Sequence, residues 1–157
     1  MSIKLSKELT EALFDLSMAL DLLGNAAAGR IGINQSDLIC LNLLVRRGPM
    51  SPSQIATELG LTTAAISAMA ARLESGGYAR RDIDPADRRR ILMTASPAGV
   101  ERAFSLFDDL YASTTELFAG RPPEELSALI ELLAEYREVV ARKAKSLMQQ
   151  GRSRGRG

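Results

Sequence analysis

Residues 84–90 read Asp-Pro-Ala-Asp-Arg-Arg-Arg, so three consecutive guanidiniums, Arg88, Arg89 and Arg90, follow a short turn-forming stretch bounded by acids. A guanidinium is always charged and only weakly hydrated, which suits it to polyanions and to narrow grooves of deep negative potential. The same run can also form a solvated turn whose arginines pair with Asp82, Asp84 and Asp87. Upstream, Thr63, Ala64, Ser67, Ala68, Ala71 and Arg72 share one side of a helix-forming stretch. Small side chains there let a backbone approach a ligand closely. Threonine and serine hydroxyls can bond bases or phosphates, and an arginine reaches a phosphate or a guanine edge.

Other chemistry is excluded by what the chain lacks. There is no histidine and only one cysteine, Cys40, which rules out an intrachain disulfide, a zinc site of the Cys/His kind and histidine acid–base catalysis. No Gly-Lys-Ser phosphate loop is present, and the adjacent acids Asp108 and Asp109 diverge by about 100° on a helix, as a solvated face does. The expectation is a protein without catalytic residues, metal or cofactor. Cys40 lies in the apolar stretch Leu38–Val45 with no neighbouring cation to lower its pKa, so it reads as a core thiol rather than a redox sensor. At 157 residues, 46% hydrophobic, 25% charged and net +1, the chain is of ordinary globular composition, and any affinity for nucleic acid must come from where the charges sit. No apolar run is long enough for a bilayer, and the opening residues lack the order of a secretion signal; a cytoplasmic protein with no membrane partner is expected.

Periodicity supplies the elements that must hold these groups. Leu9, Leu13, Leu16, Leu20 and Leu23 predict an amphipathic helix from Glu8 to about Ala28. Asn34 and Asp37 mark the start of a second, buried helix that stops at Arg47-Gly48-Pro49. Ser51 caps a short third helix ended by Gly60, and Thr62 caps a fourth running to Glu74 with Ile66, Met69, Ala70 and Leu73 inward. Tyr78–Ile83 and Ile91–Thr94 read as the strands of a hairpin around the arginine-rich turn. A helix from Pro97 to Phe118 and another from Pro123 to about Met148 follow, and Gln149–Gly157 reads as a basic, disordered tail. That tail either adds nonspecific phosphate attraction or serves only as a solubilising end. The fold class is mainly α with a small β-hairpin.

Two short helices around the Gly60 turn leave the outer face of the second free to enter a DNA major groove, and the basic hairpin follows at once. The order of motifs resembles the MarR family: Ser-Pro-Ser-Gln-Ile-Ala-Thr-Glu-Leu-Gly-Leu at 51–61, Arg72-Leu-Glu-Ser-Gly-Gly-Tyr78, Asp84-Pro-Ala-Asp-Arg-Arg-Arg90, then Leu92-Met-Thr94. The resemblance covers roughly residues 8–147. It implies a winged helix-turn-helix at 34–96 between dimerisation helices at 1–33 and 97–148, and a homodimer on a palindromic double-stranded DNA operator. The DNA-binding set it implies is Ser51, Ser53, Gln54, Thr62, Thr63, Ala64, Ser67, Arg72, Asp87, Arg88, Arg89 and Arg90. Within that set Arg89 goes to the minor groove, and Asp87 anchors basic side chains such as Arg72. Ala68 and Ala71 depart from the Arg and Asp that the family often carries on this helix, which shifts weight from base readout to the wing and the phosphates. Cys40 does not match the position used by peroxide-sensing members, near the start of the first helix. Family members are commonly repressors released by small anionic or aromatic compounds. Phe14, Phe104, Phe107 and Tyr111 are then candidates to line an effector pocket, or else they belong to the core or the dimer interface. The alternative function is a winged-helix module that binds a protein partner without specific DNA binding.

Overall fold

The computed structural model describes residues 2–154, with side chains within residues 3–147. The chain is mainly helical with one two-stranded antiparallel hairpin. It divides into two compact units, Met1–Leu106 and Phe107–Gly157.

The first unit opens with α1 (Ser2–Arg30), which runs through Gly24 and Gly29 before Gly32 turns the chain at φ 74°. In α2 (Gln35–Arg47), Asn34 accepts from the Asp37 N–H at 2.9 Å while its own N–H donates to the Asp37 carboxylate at 3.4 Å; this reciprocal cap satisfies two donors that the helix cannot use. Pro52 begins α3 (Pro52–Leu59), and Gly60 ends it in the left-handed region at φ 67°, where a side chain would be strained. Thr62 caps α4 (Thr63–Ser75) by accepting from Ala65 N at 3.2 Å. Strands β1 (Ala79–Ile83) and β2 (Ile91–Ala95) pair with Ala79 opposite Ala95 and Ile83 opposite Ile91. A backbone bridge from Met50 to Met93, with N–H···O distances of 3.1 and 2.8 Å, lays the residues before α3 along β2. No sequence signal pointed to it.

The core lies in this unit. Leu41, Leu44 and Cys40 of α2, Ile55 of α3, Ile66, Met69 and Leu73 of α4 and Met93 of β2 are all at most 2% exposed. Burying each of the larger aliphatic side chains contributes about 1.5–3 kcal/mol, so the i, i+3, i+4, i+7 stripe of α4 turns the helix's other face outward.

α5 (Pro97–Phe104), capped by Ser96, starts so close to the hairpin that a Cβ on Gly99 would stand 2.5 Å from Tyr78 Cα and 2.6 Å from the Gly77 carbonyl oxygen. Only glycine fits there. The single helix expected over Pro97–Phe118 is instead two. A 3₁₀ turn at Ser105–Phe107 separates α5 from α6 (Asp108–Ala119), and the boundary between the units falls inside it. Asp108 and Asp109 occupy the first turn of α6, where negative charge favours a new helix start. α7 (Pro123–Arg154) runs past Met148, so the expected disordered tail is helical as far as Arg154; residues 155–157 lie outside the described residues. Gln149, Gln150 and Arg152 are good helix formers, and cations suit a helix C-terminus. Among the described residues α6 and α7 bury none of their side chains, and no helix is long and apolar enough to cross a membrane.

Cys40 is fully buried, and burial, followed by the nearby charge of Asp37, pushes its thiol from 9.0 up to about 11. Folding therefore retains a proton that the unfolded chain releases. The stability tied to it is complete below pH 9.0 and is lost as the pH rises towards about 11. A disulfide reagent at about pH 8 is expected to label native protein only at the rate of unfolding. Rapid stoichiometric labelling of folded protein, followed by absorbance, would contradict this placement.

Candidate nucleic-acid interface

The orientation of α4 is set by an ion pair. Arg72 donates from Nε at 2.9 Å and from Nη2 at 2.7 Å to the two carboxylate oxygens of Asp37, which has no solvent exposure. These hydrogen bonds hold the guanidinium above its ordinary pKa. The sequence places Arg72 on the DNA-facing side of this helix, and the family resemblance implies Asp87 as its anchor. Its partner is instead the helix-capping carboxylate of α2, and two of its nitrogens are already engaged. A bidentate pair spanning 35 residues leaves no mark in local periodicity.

Below it a second set of contacts, centred on Tyr78, ties three elements together. The Tyr78 hydroxyl donates to the Ile31 carbonyl at 2.8 Å and accepts from Arg102 Nε at 3.2 Å, while Arg102 lies 4.2 Å over the ring and also donates to the Gly76 carbonyl. Neither residue stood out in the sequence as functional. Arg30, Arg72 and Arg102 line a cavity of about 790 Å³ with Ile31, Tyr78 and Leu106 among its walls. No described carboxylate pairs with Arg30 or Arg102, so the lining is net cationic. The aromatic residues Phe14, Phe104, Phe107 and Tyr111 do not line it. Phe14 and Phe104 belong to the first unit, Phe107 and Tyr111 to the second, and Phe14 is 63% and Tyr111 59% exposed.

The outer face of α4 presents Thr63, Ala64, Ser67, Ala68 and Ala71 to solvent, with Thr62 exposed at its cap. The Ser67 hydroxyl donates to the Thr63 carbonyl at 3.0 Å, a bond it can exchange for an external acceptor. At α3 the assignment divides. Ser51 is buried and bonded reciprocally to Gln54, its N–H donating to Gln54 Oε1 at 2.9 Å, a bond that shapes the helix start while Gln54 stays exposed. Ser53 is exposed.

The hairpin loop folds on its aspartates. Asp84 accepts from Ala86 N at 2.9 Å and Asp87 from Arg89 N at 3.0 Å, while Asp84 N donates to Arg90 O and Arg90 N to Asp87 O, each at 2.9 Å. Asp82 is taken by Arg80 at 3.0 Å, and hydrogen bonds from Thr94 and then Arg80 hold its carboxyl below the usual range. Among the described residues no carboxylate pairs with Arg88, Arg89 or Arg90, and all three are exposed. The solvated-turn reading required those pairs; the geometry does not supply them. Grouped metal-ligating side chains are likewise absent among the described residues.

A family model described as the MarR family matches residues 31–90. The chain is 30% identical over 128 residues to the HTH-type transcriptional regulator YcgE of Bacillus subtilis, spanning 82% of this chain and 83% of that protein. Its fold is similar to that of apo MarR from E. coli, with a TM-score of 0.59 at 22% identity over 82% of this chain and 95% of the other. It is also similar to RV1404 from Mycobacterium tuberculosis, with a TM-score of 0.65 at 22% identity over 84% and 92% of the two chains.

The ion pair makes an asymmetric prediction, because Asp37 has no contact with water and the Arg72 side chain is 46% exposed. Arg72→Ala strands a buried carboxylate and is expected to cost about 3–5 kcal/mol, whereas Asp37→Asn leaves a guanidinium that can hydrate and should cost about 1–2 kcal/mol. Urea unfolding of the two variants beside the parent measures both; a larger cost for Asp37→Asn would contradict the assignment.

Proposed function

This chain belongs to the MarR family of winged helix-turn-helix transcriptional regulators, and on that premise we propose that it is a homodimeric repressor that holds a palindromic operator and releases it when a small organic anion binds. It is a DNA-binding regulator and not an enzyme. The observation that carries the reading of its DNA-binding residues is the wing tip: three exposed guanidiniums without carboxylate partners, on a loop already satisfied by its own aspartates. In this reading Thr63, Ala64 and Ser67 face base edges in the major groove, and Ser53 and Thr62 meet the flanking phosphates at the helix starts. Arg88, Arg89 and Arg90 reach the adjacent minor groove. Ser51, Gln54, Arg72 and Asp87 act indirectly, by holding α3, α4 and the loop in shape.

Dimerisation is supported by apolar surface that each unit leaves bare. In α1, Ile3 is 88%, Met18 65% and Leu22 70% exposed, and in α7 Ile130 is 67%, Val139 54% and Leu147 55% exposed. Patches of that extent mark association surfaces. A dimer presents two copies of α4 to half-sites about one helical turn apart, and the occupied promoter is closed to polymerase. For the effector, the arginine-lined cavity is a better candidate than the aromatic residues, because guanidiniums recognise a carboxylate and the Ile31, Tyr78 and Leu106 walls accept a ring.

Two measurements test these readings. On an operator found by footprinting the DNA beside its own coding region, Arg89→Ala is expected to weaken binding and lower the log–log salt slope by about 0.9, one phosphate contact's worth. Unchanged affinity and slope, or affinity for a protein partner with no salt-dependent DNA binding, would remove the wing from the interface. Separately, benzoate is expected to lower the affinity of the parent for that operator and to have little effect on Arg30→Ala. Equal responses in a calorimetric titration would place the effector elsewhere.

A further inference from the structure

The wing carries an apolar pair that stands exposed near its tip. Ile83 and Ile91 are directly opposed in the hairpin register, so both side chains leave the ribbon on the same face. By the two-residue repeat of the strands, that face also carries Arg81, Met93 and Ala79. Met93 and Ala79 are buried at the base of the ribbon, whereas Ile83 is 63% and Ile91 45% exposed. The side chains that pack on the body of the unit are therefore continued towards the tip as bare hydrocarbon. Arg81 shows where the face looks, because its guanidinium pairs with Glu74 of α4 at 3.3 Å. The isoleucines thus share the ribbon face whose Arg81 reaches α4, and they stand next along the strands to the loop that carries Arg88, Arg89 and Arg90.

We infer that Ile83 and Ile91 form an apolar contact for the deoxyribose wall of duplex DNA, resting on the sugars of the strand that passes between the groove entered by α4 and the groove reached by the wing arginines. The inference rests on the DNA-binding reading proposed above. An occupant of this surface has to meet hydrocarbon and, at the next residues along the loop, three unpaired cations. A nucleic-acid backbone has that alternation, with C–H-bearing sugar faces between successive phosphates.

Apolar and ionic contacts leave different thermodynamic marks. Covering hydrocarbon releases no counterions and makes the heat-capacity change of binding more negative, while a guanidinium on a phosphate steepens the salt dependence.

The test uses the full chain and two duplexes, one selected by the wild-type protein from a randomised library and one of mixed sequence. The double variant Ile83→Thr/Ile91→Thr is expected to lose about tenfold in affinity for both. Its salt slope should stay at the wild-type value and its heat-capacity change should become less negative. Ile83→Val/Ile91→Val should recover most of the affinity. Unchanged affinity in the threonine variant overturns the inference. So does a loss accompanied by a shallower salt slope, which marks a hairpin that has lost its shape and with it the position of its arginines. A changed sedimentation coefficient with DNA affinity intact also overturns it, by assigning the pair to a second copy of the chain. Arg89→Ala, titrated beside these, separates the two readings. If it alone loses affinity and slope, the sugar contact is wrong and the wing stands; if neither variant moves, both are wrong.

Discussion

Asp37 is a carboxylate with no access to water, and a charge so placed is tolerable only when it is answered by hydrogen bonds and an opposite charge. Asn34 answers it from one side and the fork of Arg72 from the other. The first partner fixes where α2 begins; the second fixes how α4 lies against it. Because a bidentate fork sets direction as well as distance, α4 cannot roll about its axis without stranding the charge. The outward presentation of Thr63, Ala64 and Ser67 thus depends on an interaction made by none of them. Tyr78 continues the restraint. Its hydroxyl joins the end of α1 to Arg102 of α5, and Arg102 closes on the carbonyl of Gly76 just beyond α4.

The helix-turn-helix and the hairpin are joined through the backbone as well. β2 is bonded on one side to β1 and on the other to Met50, one residue before the Ser51 cap of α3. The base of the wing and the start of the helix-turn-helix therefore share a short ladder of hydrogen bonds around the buried Met93. A displacement of one is passed to the other. The arginine-lined cavity borders Gly76 and Tyr78, the link between α4 and β1 in this same assembly, so the proposed effector would act on both elements at once.

Much of this was legible in the sequence because local chemistry decides it. Asn34, Ser51 and Thr62 announce three helix starts, Gly60 announces a left-handed stop, and the Asp84–Arg90 stretch announces a turn. The stripe Ile66, Met69, Ala70 and Leu73 correctly separates the inner face of α4 from the outer one. What the sequence concealed is long-range or competitive. Arg72 looked free because its partner is 35 residues away, and Ser51 and Gln54 looked available because their reciprocal bond is invisible until the helix forms. The break at Ser105–Phe107 was missed because the apolar spacing continues across it, and only the acids at 108 and 109 hint that a helix begins again.

The loop at the wing tip closes through Asp84, Asp87 and backbone groups, and the side chains of Arg88, Arg89 and Arg90 take no part in holding it. Structural duty and electrostatic duty are therefore carried by different residues in the same short segment. Over evolutionary time such a segment can gain or lose positive charge one substitution at a time without passing through an unfolded intermediate. If the wing meets DNA as proposed, the strength of that grip is then free to drift while the scaffold that aims it is held constant, and descendants of one ancestral regulator can settle at different occupancies on the same promoter architecture.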